Sequence, residues 1–128
     1  RPWQHVLEPL SGYLVLAQAL HEVGPVFNGP WNFGPRDSDA RSVQEVIELL
    51  VHEWGLPAEW GLDEAIHPHE ANFLKLDCSK AAQELAWHPK WSLEQALGAT
   101  VEWQRIFQSR GDILAFTRKQ INTYCLLI

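Results

Sequence analysis

The sequence HEANFLKLDCSKA at residues 69–81, followed by Trp87-His88-Pro89, contains the signals of a strand, a capped helix and a helix end. The apolar run at 73–76 predicts a short strand, and Asp77 or Ser79 is suited to cap the helix that follows. Trp87-His88-Pro89 predicts the end of that helix, because proline does not continue a helix. This order of signals is typical of a unit that carries a binding site.

Polar residues precede the predicted strand. His69 and Glu70 stand at its entrance, where side chains commonly face a ligand. Together with His67 they also suggest a metal site, since histidine and glutamate are metal ligands. Two histidines separated by one residue in a loop do not define a coordination geometry, so a loop that contacts substrate is the favoured interpretation.

Outward from this block, the spacing of apolar residues predicts further helices that begin and end at recognisable signals. Ser42 with Glu45 and Ser92 with Gln95 are capping boxes, and Gly24-Pro25 is a helix stop. The predicted helices are 7–23, 42–55, 79–86, 92–109 and 112–124.

Two more short strands are predicted, at 31–33 and 60–62, in addition to the strand at 73–76. Strands this short rarely stand alone. The predicted fold class is therefore α/β: a helix-rich region with a small mixed sheet of about three short strands, docked on a larger partner domain.

Composition limits the function classes. The 128 residues fit one domain, and no apolar stretch approaches the roughly 18 residues of a membrane helix. A net charge of −6 without a basic run argues against nucleic-acid binding. Cys78 and Cys125 are too few for a disulfide framework, which indicates reduced thiols and a cytoplasmic protein. The sequence contains no methionine, so we expect further residues upstream of Arg1.

The sequence lacks several catalytic motifs. It contains no Gly-x-Gly for a dinucleotide pyrophosphate, and neither Tyr13 nor Tyr124 is followed four residues later by lysine. What remains is a set of binding groups. The segment at 1–5 offers a guanidinium, an indole, an amide and an imidazole, which suit phosphate pairing and stacking, although a frayed terminus with exposed charge is the alternative.

Five segments, taken together and in this order, resemble the C-terminal part of CDP-glucose 4,6-dehydratases of the extended short-chain dehydrogenase/reductase superfamily. They are RPWQHVLEPL at 1–10, WNFGP at 31–35, PHEA at 68–71, LKLDCSKA at 74–81 and WHP at 87–89. AFTRKQI at 115–121 is similar to the family's closing segment.

The resemblance implies a fold of two domains with different binding roles. The family has an N-terminal Rossmann domain that binds NAD and a smaller helix-rich region for the sugar nucleotide, and this chain resembles the second. The NAD cofactor would therefore be bound by the missing domain, and none by this fragment, which we expect to be inactive alone. The expected partners are a CDP-sugar, the Rossmann domain and, in a homodimer, a second copy of the full enzyme.

The resemblance also implies site residues. Arg1 matches an arginine that meets the diphosphate in related dehydratases, and His5 stands where wider relatives often have tyrosine. His69 and Glu70 match positions around the nucleotide, and Arg36 is a second candidate at the ligand edge. No residue of the chain is assigned a catalytic or metal-binding role.

Two other interpretations remain open. The chain belongs to another sugar-nucleotide dehydratase or epimerase, or it is a non-catalytic helical module whose tryptophan-rich faces bind a protein. An exposed apolar patch without any response to nucleotides would favour the module.

Overall fold

The computed structural model describes residues 1–55, 57–61, 63 and 74–127. Over these residues the chain forms five α-helices and two short 3₁₀ turns, at Pro25–Phe27 and Asp37–Asp39. None of the helices in this part is long and apolar enough to cross a membrane. The α-helices are α1 (Leu7–Glu22), α2 (Val43–Trp54), α3 (Ser79–Leu85), α4 (Leu93–Gln108) and α5 (Ile113–Leu126).

Both predicted capping boxes are confirmed. At α2, the Ser42 hydroxyl accepts a hydrogen bond from the Glu45 N–H at 3.2 Å, and the Glu45 carboxylate accepts one from the Ser42 N–H at 2.8 Å. At α4, Ser92 and Gln95 make the same reciprocal pair, at 3.3 and 2.9 Å. These bonds satisfy amide groups that a helix start leaves unpaired, so each helix begins where the sequence predicts.

Helix α3 begins at a side-chain hydrogen bond and ends at a residue in the left-handed conformation. The Asp77 carboxylate accepts a hydrogen bond from the Ser79 N–H at 2.9 Å, and the hydrogen bonds from Ser79 hold the pKa of Asp77 below its ordinary value. At the other end, Ala86 adopts the left-handed conformation with φ of 51°. Glycine is the residue that most readily takes that conformation at a helix C-terminus, so Ala86 carries a modest strain.

The core centres on Phe33, Ala81 and Trp87, all buried. The Phe33 and Trp87 rings meet edge to face, with centroids 5.0 Å apart. Gly12 brings α1 close to this cluster, because a methyl group at that position would overlap the Phe33 ring. Helix α1 packs on α3, and α4 packs on both α2 and α5. The side chains packed around the cluster are Val15, Leu16, Trp31 and Leu85.

The predicted small mixed sheet is wrong. Within the described residues no strand forms, and the only β-type pairing is an isolated bridge between Pro2 and Ala40. The segments 31–33 and 74–76 have no strand structure, while Leu62 and Phe73 of the other predicted positions lie outside the described residues. The described fold is helical rather than α/β.

Hydrogen bonds involving side chains hold the segment at 31–34 beside the segment at 74–78 without the backbone hydrogen bonds of a β-sheet. The Asn32 amide donates to the Asp77 carbonyl at 3.0 Å, and the Gly34 N–H donates to the Cys78 sulfur at 3.1 Å. Pro35 has no N–H to continue a pairing. Phe33 is buried, whereas Leu74 and Leu76 are exposed, and side chains rather than backbone pairs hold the two segments together.

Candidate functional site

The segment that carries Arg1 and His5 is fixed to the loop before α2. The Trp3 indole donates to the Arg41 carbonyl at 3.1 Å, and the Gln4 amide donates to the Phe33 carbonyl at 2.8 Å. With the bridge at Pro2, these bonds hold residues 2–4 in place. The segment is therefore anchored over its length rather than frayed, while the Arg1 side of it is exposed to solvent.

His5 is held in one orientation at the start of α1. Its Nδ1 accepts a hydrogen bond from the Leu7 N–H at 3.2 Å, and its ring packs edge to face on Trp91 with centroids 4.8 Å apart. Burial lowers the pKa of His5 below its ordinary value, and the nearby Glu8 charge offsets this only in part. With Nδ1 used as an acceptor, the neutral imidazole carries its proton on Nε2 as a donor.

His5 lines an elongated cavity of about 570 Å³ between α1, α4 and α5, which we call the α1–α5 groove. Its walls are mainly apolar, with amide and hydroxyl groups among them, and none of the lysines and arginines that the structure describes lines it. Such a lining suits an uncharged group better than a phosphate. The residues of the groove are Gln4, His5, Val6, Leu7, Leu10, Thr100, Trp103, Gln104, Thr117, Gln120 and Ile121.

Arg36 lies at a different cavity of about 510 Å³, which we call the α3 cleft. The Arg36 Nη2 donates to the Pro89 carbonyl at 3.1 Å and to the Lys90 carbonyl at 3.2 Å. These bonds tie the loop after Pro35 to the segment before α4. The cleft is lined by 34–37, 75–79, Ala82 and 87–89.

The α3 cleft contains both charges and a thiol. The Lys75 ammonium lies 2.8 Å from an Asp37 carboxylate oxygen. Burial raises the pKa of the Cys78 thiol, so the neutral thiol is favoured, and a thiol in that state is a poor nucleophile. Among the residues that the structure describes, no group of three or more potential ligands is placed to hold a metal ion.

The predicted site residues are therefore not gathered in one cavity. His5 lines the α1–α5 groove and Arg36 lines the α3 cleft. A small crevice joins Pro2, the neighbour of Arg1, with Arg36, which places the Arg1 end of the segment beside the α3 cleft. His69 and Glu70, like His67, lie outside the described residues.

The sequence analysis missed a buried carboxylate. Glu8 is 1% exposed. Its two oxygens accept hydrogen bonds from the Trp91 N–H at 2.7 Å, the Lys90 N–H at 3.0 Å and the Tyr124 hydroxyl at 2.6 Å. The signal in the sequence is a charged residue in the first turn of a largely apolar helix.

A hydroxyl cluster completes the surroundings of Glu8. The Ser11 hydroxyl accepts a hydrogen bond from the Trp87 indole at 2.9 Å and lies 3.0 Å from the Tyr124 oxygen. Burial and the hydrogen bond to Glu8 raise the pKa of Tyr124 well above its ordinary value. The cluster joins α1 to α5 and to the segment before α4, and so fixes the start of α1, next to His5.

Comparison with known proteins identifies a relative of this chain. The chain is 51% identical over 124 residues to a CDP-glucose 4,6-dehydratase of Salmonella typhimurium. The alignment covers 97% of this chain and 34% of the relative, in its C-terminal part, so the chain spans about a third of the relative's length. No protein-family model matches the chain. The resemblance inferred from the sequence motifs is confirmed.

Proposed function

We propose that this chain, which is similar over nearly its whole length to the C-terminal part of a CDP-glucose 4,6-dehydratase, is the region of such an enzyme that binds the CDP-sugar. The identity of 51% across 124 residues is the observation that carries the proposal. The activity of the complete enzyme would be removal of water from CDP-glucose, giving CDP-4-keto-6-deoxyglucose.

In this proposal, the redox chemistry belongs to a part that the relative has and this chain lacks. There, NAD would supply the hydride chemistry. The residues of this chain do not fit that cofactor, because the sequence has neither a Gly-x-Gly turn nor a tyrosine followed four residues later by lysine. The chain would supply binding energy and orientation.

The anchored segment at the start of the chain offers groups for such a ligand. A guanidinium pairs with two phosphate oxygens at once, so Arg1 is proposed to meet the diphosphate. His5, neutral and donating through Nε2, would bind an uncharged hydroxyl or carbonyl group. His69 and Glu70 are proposed to contact the nucleotide.

Arg36 is proposed as a second contact at the ligand edge. Its Nη2 already bridges the Pro89 and Lys90 carbonyls, so a ligand would be met by the remaining N–H groups of the guanidinium. Arg36 would therefore offer an anion only part of its hydrogen-bonding capacity, since the rest is used within the fold.

The test is a heteronuclear NMR titration of the chain with CDP, with UDP as the control for base preference. We expect selective shifts at Arg1 and His5, and weak affinity, because the rest of the pocket would come from the N-terminal part. Arg1→Ala should weaken CDP binding about tenfold, the effect of one charge-assisted pair. Arg110→Ala, at the far end of α4, is the matched control.

Three results would contradict the proposal. They are no selective shift at millimolar CDP in a well-dispersed spectrum, equal loss of affinity in the two arginine variants, and shifts confined to residues remote from 1–5. A preference for UDP over CDP would point instead to another sugar-nucleotide dehydratase or epimerase.

A further inference from the structure

The imidazole of His5 has one hydrogen bond and one aromatic neighbour within the described part of the chain. The hydrogen bond comes from the Leu7 N–H, only two residues further on, and its length of 3.2 Å is at the long end of the range for such bonds. The aromatic neighbour is Trp91, whose ring meets the imidazole at an angle of 65°. A single long hydrogen bond does not fix a ring by itself, so the orientation of His5 depends on Trp91.

Trp91 is itself held firmly. It is 9% exposed, and its N–H donates to the Glu8 carboxylate at 2.7 Å. The Tyr124 ring packs edge to face on the indole, with centroids 5.1 Å apart. The next residue, Ser92, caps α4 and donates to the Gln95 side chain at 2.9 Å. Contacts from α1, α4 and α5 therefore keep Trp91 in place, and the indole is a rigid support for the imidazole.

Trp91 supports His5 without lining the α1–α5 groove. A ligand in the groove would contact His5, because Trp91 is not among the groove residues. The charge that acts on the imidazole is that of Glu8 on α1, and the groove residues of α4 and α5 are all uncharged. On the segment before α4, the Lys90 ammonium lies over the Tyr124 ring, 5.2 Å from its centroid. Any effect of Trp91 on a ligand would therefore pass through His5.

We propose that Trp91 is a positioning residue of the CDP-sugar site, which holds the His5 ring so that Nε2 is presented to the ligand as a hydrogen-bond donor. This inference rests on the proposed function, in which His5 binds an uncharged hydroxyl or carbonyl group. Trp91 contacts neither the ligand nor the reacting atoms. Its contribution is to keep the imidazole in one orientation before the ligand arrives.

The size of the effect follows from the ring contact. An edge-to-face pair favours one arrangement of two rings over the alternatives by roughly three- to tenfold. In the arrangement described here, Nδ1 accepts from Leu7, so the neutral ring carries its proton on Nε2. Without Trp91, other rotamers of His5 would become populated and the ring would be more hydrated. The affinity for the ligand would then fall by the fraction of chains that leave the binding orientation.

The test measures three quantities by NMR: the pKa of His5, the exchange rate of the Leu7 amide hydrogen and the dissociation constant for CDP. In Trp91→Leu, the pKa of His5 should rise to 6.5 or above, because the burial that lowers it is lost. The Leu7 amide should exchange about threefold faster, and CDP should bind about three- to tenfold more weakly. Trp91→Phe keeps a ring beside His5 and should give intermediate values.

Trp54→Leu is the matched control, because it also removes a tryptophan ring but at the end of α2, where that ring contacts Arg105. It should leave the pKa of His5 unchanged and the dissociation constant for CDP unchanged within twofold. The unfolding midpoint of each variant measures any loss of stability separately. If Trp91→Leu does not fold, the displacement of the His5 pKa toward 6.5 in Trp91→Phe decides the question.

A double-mutant cycle separates positioning from packing. If Trp91 acts through His5, Trp91→Leu should weaken CDP binding no further in a His5→Gln background. Equal losses in the two backgrounds, or a pKa of His5 that is unchanged in both Trp91 variants, would overturn the proposal. A chain without any response to CDP would overturn the proposed function, while the pKa of His5 and the exchange of the Leu7 amide would still decide whether Trp91 positions the ring.

Discussion

Glu8 shows how a single side chain organises the residues around the candidate site. A buried carboxylate loses its hydration, and the loss is offset only when several donors replace the water. The two backbone N–H groups of Lys90 and Trp91 and the Tyr124 hydroxyl are those donors. Glu8 thereby links the first turn of α1, next to His5, to the start of α4 and to the last turns of α5.

Replacing the carboxylate by an amide tests this link. In Glu8→Gln, an NH₂ group would face donors where an oxygen accepted before, so we expect the free energy of unfolding to fall by about 2–3 kcal/mol. Urea unfolding at neutral pH measures the change. Glu48→Gln, on the exposed side of α2, is the matched control, and equal effects of the two substitutions would show that the buried carboxylate has no special weight.

The buried imidazole of His5 should make the stability of the fold depend on pH. Because burial lowers its pKa in the folded chain, the unfolded chain binds the proton first as the pH falls below about 6.5. Stability contributed by His5 is therefore complete above that pH and declines below it, until the lower pKa of the folded chain is reached. The His5→Gln variant should lose this decline.

The measurement combines two readouts. An NMR titration of the His5 ring protons should give a midpoint below pH 6.5. In urea unfolding, the free energy of unfolding should change with pH equally in wild type and in His5→Gln above that pH. A His5 midpoint at or above 6.5 would refute the buried, neutral ring described at the start of α1.

At the scale of elements, α1 is fitted closely against the core. Its inner side approaches the core so closely that glycine is required at position 12, where any side chain would enter the Phe33 ring. Helix α4 contains a glycine of the opposite kind. A methyl group at Gly98 would meet nothing nearer than the Glu53 carboxylate, 3.8 Å away. The same residue type thus has a packing role in one helix and none in the other.

This contrast predicts opposite outcomes for one substitution. Gly12→Ala should lower the free energy of unfolding by about 1–3 kcal/mol, because the core cannot yield space for the methyl group. Gly98→Ala should raise it by about 0.5–1 kcal/mol, because alanine favours a helix interior over glycine. Thermal unfolding of both variants measures the difference. A stabilised Gly12→Ala variant would mean that α1 does not approach Phe33 this closely.

At the scale of the molecule, features that depend on neighbouring residues could be predicted from the sequence, and features that depend on distant residues could not. The helices α2 and α4 were placed correctly because Ser42 and Ser92 cap them through bonds within three residues. The small sheet failed because a strand needs a partner, and at 31–33 the neighbour is held by the Asn32 side chain and the Cys78 sulfur. That choice depends on groups more than forty residues away.

In the candidate site too, features set by local sequence were predictable and features set by packing were not. The motifs identified the relative, and the residues of the segment at 1–5 are anchored as a unit. Whether Arg36 and His5 share a cavity depended on how α1, α3 and α5 pack, and the structure places them in different ones. Glu8 escaped notice because its three donors come from positions 90, 91 and 124, which no local pattern connects to it.

The bond between Glu8 and Tyr124 also has a consequence for how the protein is made. The two residues are 116 positions apart, so the ribosome must add more than a hundred amino acids after Glu8 before the tyrosine exists. Until then the carboxylate lacks its hydroxyl donor, so its burial would cost hydration that is not fully replaced. Contacts so distant along the chain slow folding. We therefore expect the compact state to form late in synthesis, after Tyr124 has been added.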